Sequence, residues 1–369
     1  MAQRPRGHEI TLVVDRQTAA EHALPEGCRV QVAATRQQPT RAASAQGARG
    51  LGDLLRLSRA ASACDADVFF FPAVYSYFPL LRRRPMVVAF HDAIAEEHPE
   101  LVLPQRRGRL FWNAKTWLAR RQADCLLTVS ESARDQIVAA FGYPRDRIRV
   151  IAEAAGDEFR PLDGPDRASI DRVMATYGLP GDRPLLVYVG GLSPHKNLEG
   201  LMDAFALLKR RGGRVHLALV GDPAADGFNK SHSALVARRE ALGLQDAVTF
   251  TGYVPADDLV PLYNAASAVV LPSFSEGFGL PALEAMACGV PVAASRRGAL
   301  PEVVGDAGLF FDPHDTEDMS RVLEQLVADG ALRARLGDEG RRRSRLFSWS
   351  AAAEKTLDLL EEVARGPAA

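Results

Sequence analysis

The chain has 369 residues, more than one hydrophobic core usually holds, and its 47% apolar and 25% charged residues are ordinary globular proportions. A net charge of −1 at pH 7 gives no support to non-specific nucleic-acid binding, and the four widely spaced cysteines form neither a zinc motif nor a disulfide framework. Residues 1–8 are polar and no stretch has the length of a transmembrane helix, so the sequence indicates a soluble, cytoplasmic protein.

Short apolar runs that suit β-strands alternate with runs of helical period along the whole chain. Because most strand candidates are continuously apolar, they predict parallel sheets covered on both faces, and the class is α/β. The predicted strands are Ile10–Val14, Arg29–Ala33, Val68–Phe71, Met86–Phe90, Leu126–Val129, Arg147–Ile151, Leu185–Val189, Val215–Val220, Val248–Thr251, Ala268–Leu271, Pro291–Ala294 and Leu309–Phe311. The predicted helices include Leu51–Ala63, Asn197–Arg211, Thr316–Ala328 and Ser350–Ala364.

Two stretches interrupt this alternation. Residues 35–50 are rich in Gln, Arg, Ala, Ser and Gly and predict an exposed loop. The segment from Phe159 to Pro165 is turn-rich and breaks both periodicities, which predicts a domain boundary near Pro161–Pro165. The chain should therefore form two similar α/β halves with a ligand crevice between them.

Two polar motifs of the first half have different positions relative to their strands. Asp65-Ala66-Asp67 matches the DxD pattern of metal-dependent transferases but precedes the strand Val68–Phe71, so we expect two solvated acids and no metal site. His91 follows the strand Met86–Phe90, and a histidine at the carboxyl end of a parallel strand points into the crevice. A capping or buried structural histidine is the other interpretation.

Residues 104–122 interleave basic and apolar side chains. The basic residues are Arg106, Arg107, Arg109, Lys115, Arg120 and Arg121, and the apolar ones are Leu110, Phe111, Trp112, Trp117 and Leu118. Two interpretations stay open: an ordinary helix packed by its aromatic stripe, or a basic helix that lies on an anionic membrane. With a lipid-linked acceptor, this helix and Arg82-Arg83-Arg84 are the expected place of peripheral membrane contact.

The strand Leu185–Val189 is followed by GGLSPHKN, residues 190–197, and then by a helix. A glycine pair allows close approach of backbone to a ligand, and Lys196 adds a full positive charge to the start of the helix. Together they predict a cradle for a diphosphate, although a glycine turn with a solvated lysine has the same pattern. Neither the Walker loop nor the GxGxxG dinucleotide fingerprint fits these residues.

The sequence SEGFGLPALE, residues 275–284, places two carboxylates around a strand–turn–helix. Glu276 lies in the loop after the strand Ala268–Leu271, and Glu284 lies one turn into the next helix, at the edge where open α/β sheets bind ligands. The N–H groups at the helix start suit an anion; they belong to Phe278, Gly279 and Leu280. The alternative is a tight turn with two solvated acids.

Two glutamates with seven residues between them, the Phe-Gly-Leu-Pro core and the following Gly-Val-Pro-Val together resemble the family-4 glycosyltransferases, which have the GT-B fold. The resemblance implies an α/β protein of two Rossmann-like domains with parallel sheets facing across a crevice. It divides the chain into an acceptor domain at 1–162, a nucleotide-sugar donor domain at 163–348, and a helix at 349–369 that crosses back to the first domain.

The resemblance also implies two catalytic residues. It places His91 next to the transferred sugar and has Glu276 hold a sugar hydroxyl and steady the positive charge that develops on the ring. The donor is held by the other matched positions, with Lys196 on the diphosphate and Glu284 on the ribose hydroxyls. The remaining donor-binding positions are Gly190, Gly191, His195, Tyr253, Val254, Phe278, Gly279 and Leu280.

This chain departs from the family pattern at two places. Many members supply an arginine in the loop before the lysine, where this chain has Gly191 and His195, so the second cation for the diphosphate is not identified. Many members also have a glycine-rich loop after the first strand, whereas Val14 to Gln17 contain no glycine.

The implied function is transfer of a sugar from a nucleoside-diphosphate-sugar to an acceptor hydroxyl, with retention of configuration and with neither a metal nor a cofactor. The acceptor would be a saccharide or a lipid-linked sugar in the synthesis of cell-surface polysaccharide, lipopolysaccharide or another glycoconjugate, in the cytoplasm or at the inner face of the membrane. A GT-B sugar-nucleotide epimerase and a non-catalytic nucleotide-sugar-binding protein are the alternatives. The presence of Lys196, Glu284, His91 and Glu276 together favours the enzyme.

Overall fold

The computed structural model describes residues 6–35, 50–223 and 229–366. The exposed loop predicted at 35–50 lies almost entirely outside the described residues. Among the helices that are described, none is long and apolar enough to cross a bilayer.

The chain divides into two compact units. The amino-terminal unit comprises 1–129, 133–152 and 350–369, and the carboxyl-terminal unit comprises 130–132 and 153–349. The turn-rich segment at Pro161–Pro165 therefore lies inside the second unit.

The described residues of the amino-terminal unit form a two-stranded sheet, β1-β2, and a four-stranded sheet of order β3-β4-β5-β6, and the strand pairs among them are parallel. Its strands are β1 (Thr11–Asp15), β2 (Arg29–Ala33), β3 (Phe69–Phe71), β4 (Met86–Ala89), β5 (Cys125–Thr128) and β6 (Ile148–Val150). Its helices are α1 (Arg16–Glu21), α2 (Leu51–Ser62), α3 (Ile94–Glu97), α4 (Pro99–Val102), α5 (Arg106–Gln122) and α6 (Glu131–Phe141), the last beginning in the second unit's short segment.

The carboxyl-terminal unit contains one six-stranded parallel sheet. Its strands are β7 (Leu185–Val189), β8 (His216–Val220), β9 (Val248–Gly252), β10 (Ala268–Leu271), β11 (Val292–Ser295) and β12 (Gly308–Phe311). Its helices are α7 (Ala168–Thr176), α8 (Leu198–Arg210), α9 (Asn229–Ala241), α10 (Ala256–Ala265), α11 (Leu280–Ala287), α12 (Leu300–Val304), α13 (Thr316–Ala328) and α14 (Gly330–Ser344).

The buried strands explain why the sequence pattern predicts a parallel sheet. Every residue of β4, β8, β10 and β11 is buried, so side chains on both faces of these strands are covered, as continuous apolarity requires. The strand predicted at Val68–Phe71 begins one residue later, at Phe69. Most other observed strand ends lie within one or two residues of the predicted ones.

The last helix, α15 (Trp349–Arg365), packs within the amino-terminal unit. Its buried residues Ala352, Leu359 and Leu360 share a cluster with Val87 of β4 and Leu127 of β5. The chain thus returns to the first unit after completing the second.

Candidate functional site

The strand order of the six-stranded sheet locates its ligand edge. The order is β12-β11-β10-β7-β8-β9, so the chain runs outward from β7 in one direction and from β10 in the other. Ligands of open α/β sheets bind outside the carboxyl ends of the strands at this reversal. The loops that leave β7 and β10 carry Lys196 and Glu276, which places both residues at that point.

Close packing accounts for Gly190, which follows β7, and for Gly221, which follows β8. The hydroxyl of buried Tyr188 donates a hydrogen bond of 2.6 Å to the carbonyl oxygen of Gly191. A Cβ atom on Gly190 would lie 2.7 Å from that same hydroxyl, and one on Gly221 would lie 2.5 Å from the Gly190 carbonyl oxygen. Burial, followed by the charge of Glu276, raises the pKa of Tyr188, which therefore stays a hydroxyl donor.

Asn197 fixes the loop of Lys196 against the rest of the sheet edge. It has left-handed backbone angles, φ 56° and ψ 38°, and α8 therefore begins at Leu198 rather than at Asn197. Its buried Nδ2 donates hydrogen bonds to the carbonyl oxygens of Pro272 (3.1 Å) and Pro313 (2.8 Å). The sequence pattern did not predict this role, although asparagine is one of the few residues that adopt this conformation.

Lys196 and Glu276 form a largely buried ion pair. Lys196 Nζ lies 2.8 Å from Oε1 and 2.9 Å from Oε2 of Glu276, and the two side chains are 20% and 12% exposed. Ser273 Oγ donates a third hydrogen bond to Oε1 at 2.6 Å. Burial acts to raise the pKa of Glu276, but the charge and hydrogen bonds of Lys196 and the Ser273 hydroxyl outweigh it and lower that pKa. Glu276 is therefore ionised at neutral pH.

The loop after β11 holds the backbone of Glu276 in place. Ala299 N–H donates to the Glu276 carbonyl oxygen at 3.0 Å, and a Cβ atom on Gly298 would lie 2.6 Å from both the nitrogen and the oxygen of Glu276. Gly298 also has φ +60°, which disfavours any other residue. The preceding residues Arg296 and Arg297 are exposed cations at this same edge, and no motif in the sequence marked them as candidates.

The turn before α11 has the expected helix start. Gly279 has φ 99° and ψ 49°, α11 begins at Leu280, and Pro281 occupies its first turn. The N–H groups of a first turn have no intrahelical partner and suit an anion. The ring of Phe278 is buried against Phe347, with centroids 5.8 Å apart, so only the backbone of Phe278 is suited to contact a ligand.

Glu284 has a different partner from Glu276. The hydroxyl of Tyr263, fully buried in α10, donates a hydrogen bond of 2.7 Å to Glu284 Oε2. The pKa of Glu284 is raised, chiefly by burial and to a smaller extent by the charge of Glu158. The hydrogen bond from Tyr263 lowers this pKa but does not outweigh the burial. Tyr263 lies 21 residues before Glu284, and only the packing of α10 beside α11 reveals the pair.

The raised pKa of Glu284 predicts that this carboxylate destabilises the ligand-free protein at neutral pH. A group whose folded pKa is raised contributes stability below its unfolded pKa and loses it as pH rises through the folded value. We therefore expect Glu284→Gln to raise the melting temperature at pH 7.5, with a gain that shrinks toward pH 4, and to weaken binding of nucleoside diphosphates. Thermal unfolding from pH 4 to 8 measures the change in stability, and calorimetric titration measures the change in affinity. A lower melting temperature of the variant at pH 7.5 would contradict the prediction. The control is Glu240→Gln on α9.

The other predicted residues follow strands other than β7 and β10. Tyr253 and Val254 follow β9, two strands from β7, where Tyr253 is exposed and Val254 is buried. His91 belongs to the amino-terminal unit and directly follows β4, and the next residue, Asp92, accepts a hydrogen bond of 3.0 Å from the N–H of Ile94. The roles of these residues stay predictions.

The acids predicted to be solvated are exposed. Asp65 and Asp67 lie between α2 and β3, at the amino end of that strand. In the described ranges, no three His, Cys, Asp or Glu residues are arranged to hold a metal ion.

Two solved structures share the whole fold. Sucrose-phosphate synthase from Thermosynechococcus elongatus superposes with a TM-score of 0.76 at 21% identity, covering 98% of this chain and 90% of that one. Anabaena HepE in complex with UDP and glucose superposes with a TM-score of 0.72 at 21% identity, covering 91% and 87%. The fold is the GT-B fold of glycosyltransferases.

The sequence comparisons identify the family. The model of glycosyl transferases group 1 matches residues 169–343, and that of glycosyltransferase family 4 matches residues 1–154. The O-antigen chain mannosyltransferase B of Escherichia coli is 35% identical over 273 residues, covering 74% of this chain and 69% of that protein. The chain belongs to the family-4 glycosyltransferases.

A second relative has a different named activity. The D-inositol 3-phosphate glycosyltransferase of Streptomyces bingchenggensis is 35% identical over 296 residues, or 77% of this chain. The matched region spans 63% of that relative's length. The chain therefore shares the family with enzymes of unlike substrates.

Proposed function

We propose that this glycosyltransferase moves a hexosyl group from a nucleoside-diphosphate-sugar to an acceptor hydroxyl, with retention of anomeric configuration and without a metal. The observation that carries the proposal is the buried Lys196–Glu276 pair at the switch point of the sheet, beside the amino terminus of α11. A cation, free N–H groups and a buried carboxylate on one edge suit a ligand with a diphosphate joined to a sugar.

The donor diphosphate would contact Lys196, His195 and the backbone of Gly190 and Gly191. The first turn of α11, entered through Phe278, Gly279 and Leu280, would supply the N–H groups. The ribose hydroxyls would bind Glu284, and the nucleobase would lie along the backbone of Tyr253 and Val254. His91 would stand next to the transferred sugar.

The charges suit the proposed chemistry. As the bond from the anomeric carbon to the diphosphate breaks, negative charge grows on the diphosphate and positive charge grows on the sugar ring. Lys196 and the helix N–H groups are fixed donors for the first charge, and the ionised Glu276 is a fixed acceptor for the second. Fixed dipoles and charges of this kind lower the barrier without reorganising during the reaction.

The relatives support a setting for the reaction. One relative is an O-antigen chain mannosyltransferase, and HepE is bound to UDP and glucose, so we propose a saccharide or lipid-linked acceptor in cell-surface polysaccharide or other glycoconjugate synthesis. We propose a cytoplasmic location, at the inner face of the membrane where the acceptor is lipid-linked. The four free cysteines agree with a reducing compartment.

The first test is thermal stabilisation by UDP, GDP, ADP, TDP and CMP, each in excess with EDTA present. A ligand at ~100 times its dissociation constant adds roughly 2.7 kcal/mol to the folded state. We expect one diphosphate to raise the melting temperature by several degrees, with a much smaller shift for the Lys196→Ala variant at the same ligand concentration. The absence of a shift with every nucleotide would overturn the proposed site.

Product analysis tests the reaction itself. With the sugar nucleotide of the best diphosphate and a saccharide acceptor, we expect NMR to show a glycoside with the anomeric configuration of the donor. An inverted product would overturn retention. An epimerised donor would make the protein an epimerase, and an unchanged donor that still binds would make it a binding protein.

A further inference from the structure

A group of polar and aromatic side chains lies at the carboxyl edge of the four-stranded sheet in the amino-terminal unit. Tyr75 lies in a one-turn helix, Val74–Ser76, that follows β3, and His91 and Asp92 follow the neighbouring strand β4. Glu96 lies on α3, the next helix after β4. Because β3 and β4 are parallel, these residues share the edge of the sheet where open α/β sheets bind ligands.

The carboxylate of Glu96 is hydrogen-bonded at one oxygen only. Its Oε1 accepts a hydrogen bond of 2.6 Å from Nε1 of buried Trp112. Its Oε2 has no hydrogen-bond partner in any other described residue. Burial raises the pKa of Glu96, the indole hydrogen bond opposes this shift, and the charge of Asp92 adds to it. A ligand that donates a hydrogen bond to Oε2 would satisfy this oxygen.

Tyr75 is held rigidly while its hydroxyl is unused. Lys115 Nζ donates to the Tyr75 carbonyl oxygen at 2.6 Å, and the Tyr75 ring lies 5.2 Å from that of Trp112. The hydroxyl forms no hydrogen bond with a described residue. Burial, followed by the charges of Asp92 and Glu96, raises the pKa of Tyr75, so the phenol stays protonated and can donate.

Packing within the unit accounts for part of this group and leaves two polar atoms over. The indole of Trp112 has its acceptor in Glu96, and the ammonium of Lys115 has its acceptor in the backbone. The Tyr75 hydroxyl and Glu96 Oε2 are the atoms left over, one a donor and the other an acceptor. Largely buried polar atoms normally have partners, and a sugar hydroxyl can both donate and accept a hydrogen bond.

We propose that Tyr75 and Glu96 bind hydroxyl groups of a neutral saccharide acceptor, and that Asp92 beside them disfavours an anionic one. Glu96 Oε2 would accept from an acceptor hydroxyl, and the Tyr75 phenol would donate to one. Two carboxylates on the same edge would repel a phosphate or a carboxylate carried by the acceptor. The inference rests on the proposed function and names the chemical class of its acceptor.

Saturation-transfer difference NMR tests saccharide binding without any donor. The probes are the methyl glycosides of mannose, glucose and galactose, and the 6-phosphates of the same sugars. We expect a neutral glycoside to bind, and we expect Glu96→Gln to weaken its binding roughly 10- to 100-fold, as for loss of a hydrogen bond to a charged group. The glutamine keeps an oxygen for the Trp112 indole. Tyr75→Phe should weaken binding roughly 2- to 10-fold, as for a neutral hydrogen bond.

Acceptor specificity gives a measurement that a purely structural role would not change. Asp92→Asn with Glu96→Gln removes both negative charges, and the asparagine keeps an oxygen for the Ile94 N–H. We expect the ratio of kcat/KM for the neutral acceptor to kcat/KM for its 6-phosphate to fall roughly 10-fold. In Glu96→Gln alone, the acceptor KM should rise more than kcat falls, while hydrolysis of the donor by water is kept.

Glu97→Gln is the matched control. It removes the same charge from the next residue of α3, whose exposed carboxylate accepts a hydrogen bond of 3.0 Å from Gln136 Nε2. We expect it to bind glycosides as the wild type does, and circular dichroism should show that each variant is folded. Wild-type glycoside binding by Glu96→Gln, no binding of any neutral glycoside, or equal use of the 6-phosphates by the wild type would each overturn the proposal.

The nucleotide screen separates this inference from the proposed function. Glycoside binding that depends on Glu96, in a protein that no nucleoside diphosphate stabilises, would overturn the proposed function and support the saccharide site. Nucleotide binding together with glycoside binding that is indifferent to Glu96 and Tyr75 would overturn the saccharide site and leave the proposed function standing.

Discussion

We expect Lys196→Ala to produce the largest combined loss of binding and stability. Removing the ammonium takes away a charge-assisted contact with the donor diphosphate, and we expect nucleoside-diphosphate affinity to fall roughly 100-fold. It also leaves Glu276 buried with Ser273 as its remaining hydrogen-bond donor, and breaking a buried pair in this way costs about 3–5 kcal/mol. Calorimetric titration and denaturant unfolding measure the two effects separately.

The pH dependence of the Lys196→Ala effect has a defined sign. In the wild type the pKa of Glu276 is lowered, so its contribution to stability is present above the unfolded pKa and is lost as pH falls through the folded pKa. In the variant, burial acts without the ammonium and should raise that pKa, so the destabilisation should shrink as the buffer becomes acidic. Unfolding at pH 7.5 and pH 5 checks the direction.

Lys355→Ala is the control, since Lys355 is exposed on α15 and belongs to the amino-terminal unit. We expect it to change neither affinity nor the pH profile. An Lys196→Ala variant that binds the diphosphate as well as the wild type would contradict the proposed site. A destabilisation that grows toward acid pH would contradict the account of the ion pair.

The fold was predictable because its signals are local. Continuous apolar runs such as Ala268–Leu271 define a strand without any knowledge of its neighbours, and Pro281 and Gly289 mark the start and end of α11 from their own backbone chemistry. The positions of the loops that carry Lys196 and Glu276 were also predictable, since each loop follows a strand that its continuous apolar run identifies.

The partners within the site were not predictable because they depend on the sheet order. Lys196 meets Glu276 eighty positions later only because β7 and β10 are neighbours. Asn197 contacts Pro313 across a still longer separation. The two tryptophans of α5 are a further example, since Trp112 is buried and Trp117 is exposed. Sequence does not show that Glu96 lies beside Trp112 and accepts its hydrogen bond.

Glu276→Gln should separate catalysis from binding. The amide keeps the shape of the side chain and a hydrogen-bond acceptor, but it removes the charge that would face the developing positive charge on the sugar. Loss of one such fixed electrostatic contact costs about 10²–10³ in kcat. Because the ammonium of Lys196 is then released from its carboxylate, we expect diphosphate affinity to be kept or to rise.

The contrast with Glu284→Gln makes this expectation specific. Glu284 would hold the ribose, which is remote from the breaking bond, so its loss should weaken donor binding more than it lowers kcat. Steady-state kinetics of both variants with saturating acceptor, together with titration of the bare diphosphate, give the comparison. A Glu276→Gln enzyme with full kcat and weakened donor binding would contradict the proposed role. It would show that Glu276 contributes to binding of the donor and not to stabilisation of the transition state, although its carboxylate neutralises Lys196.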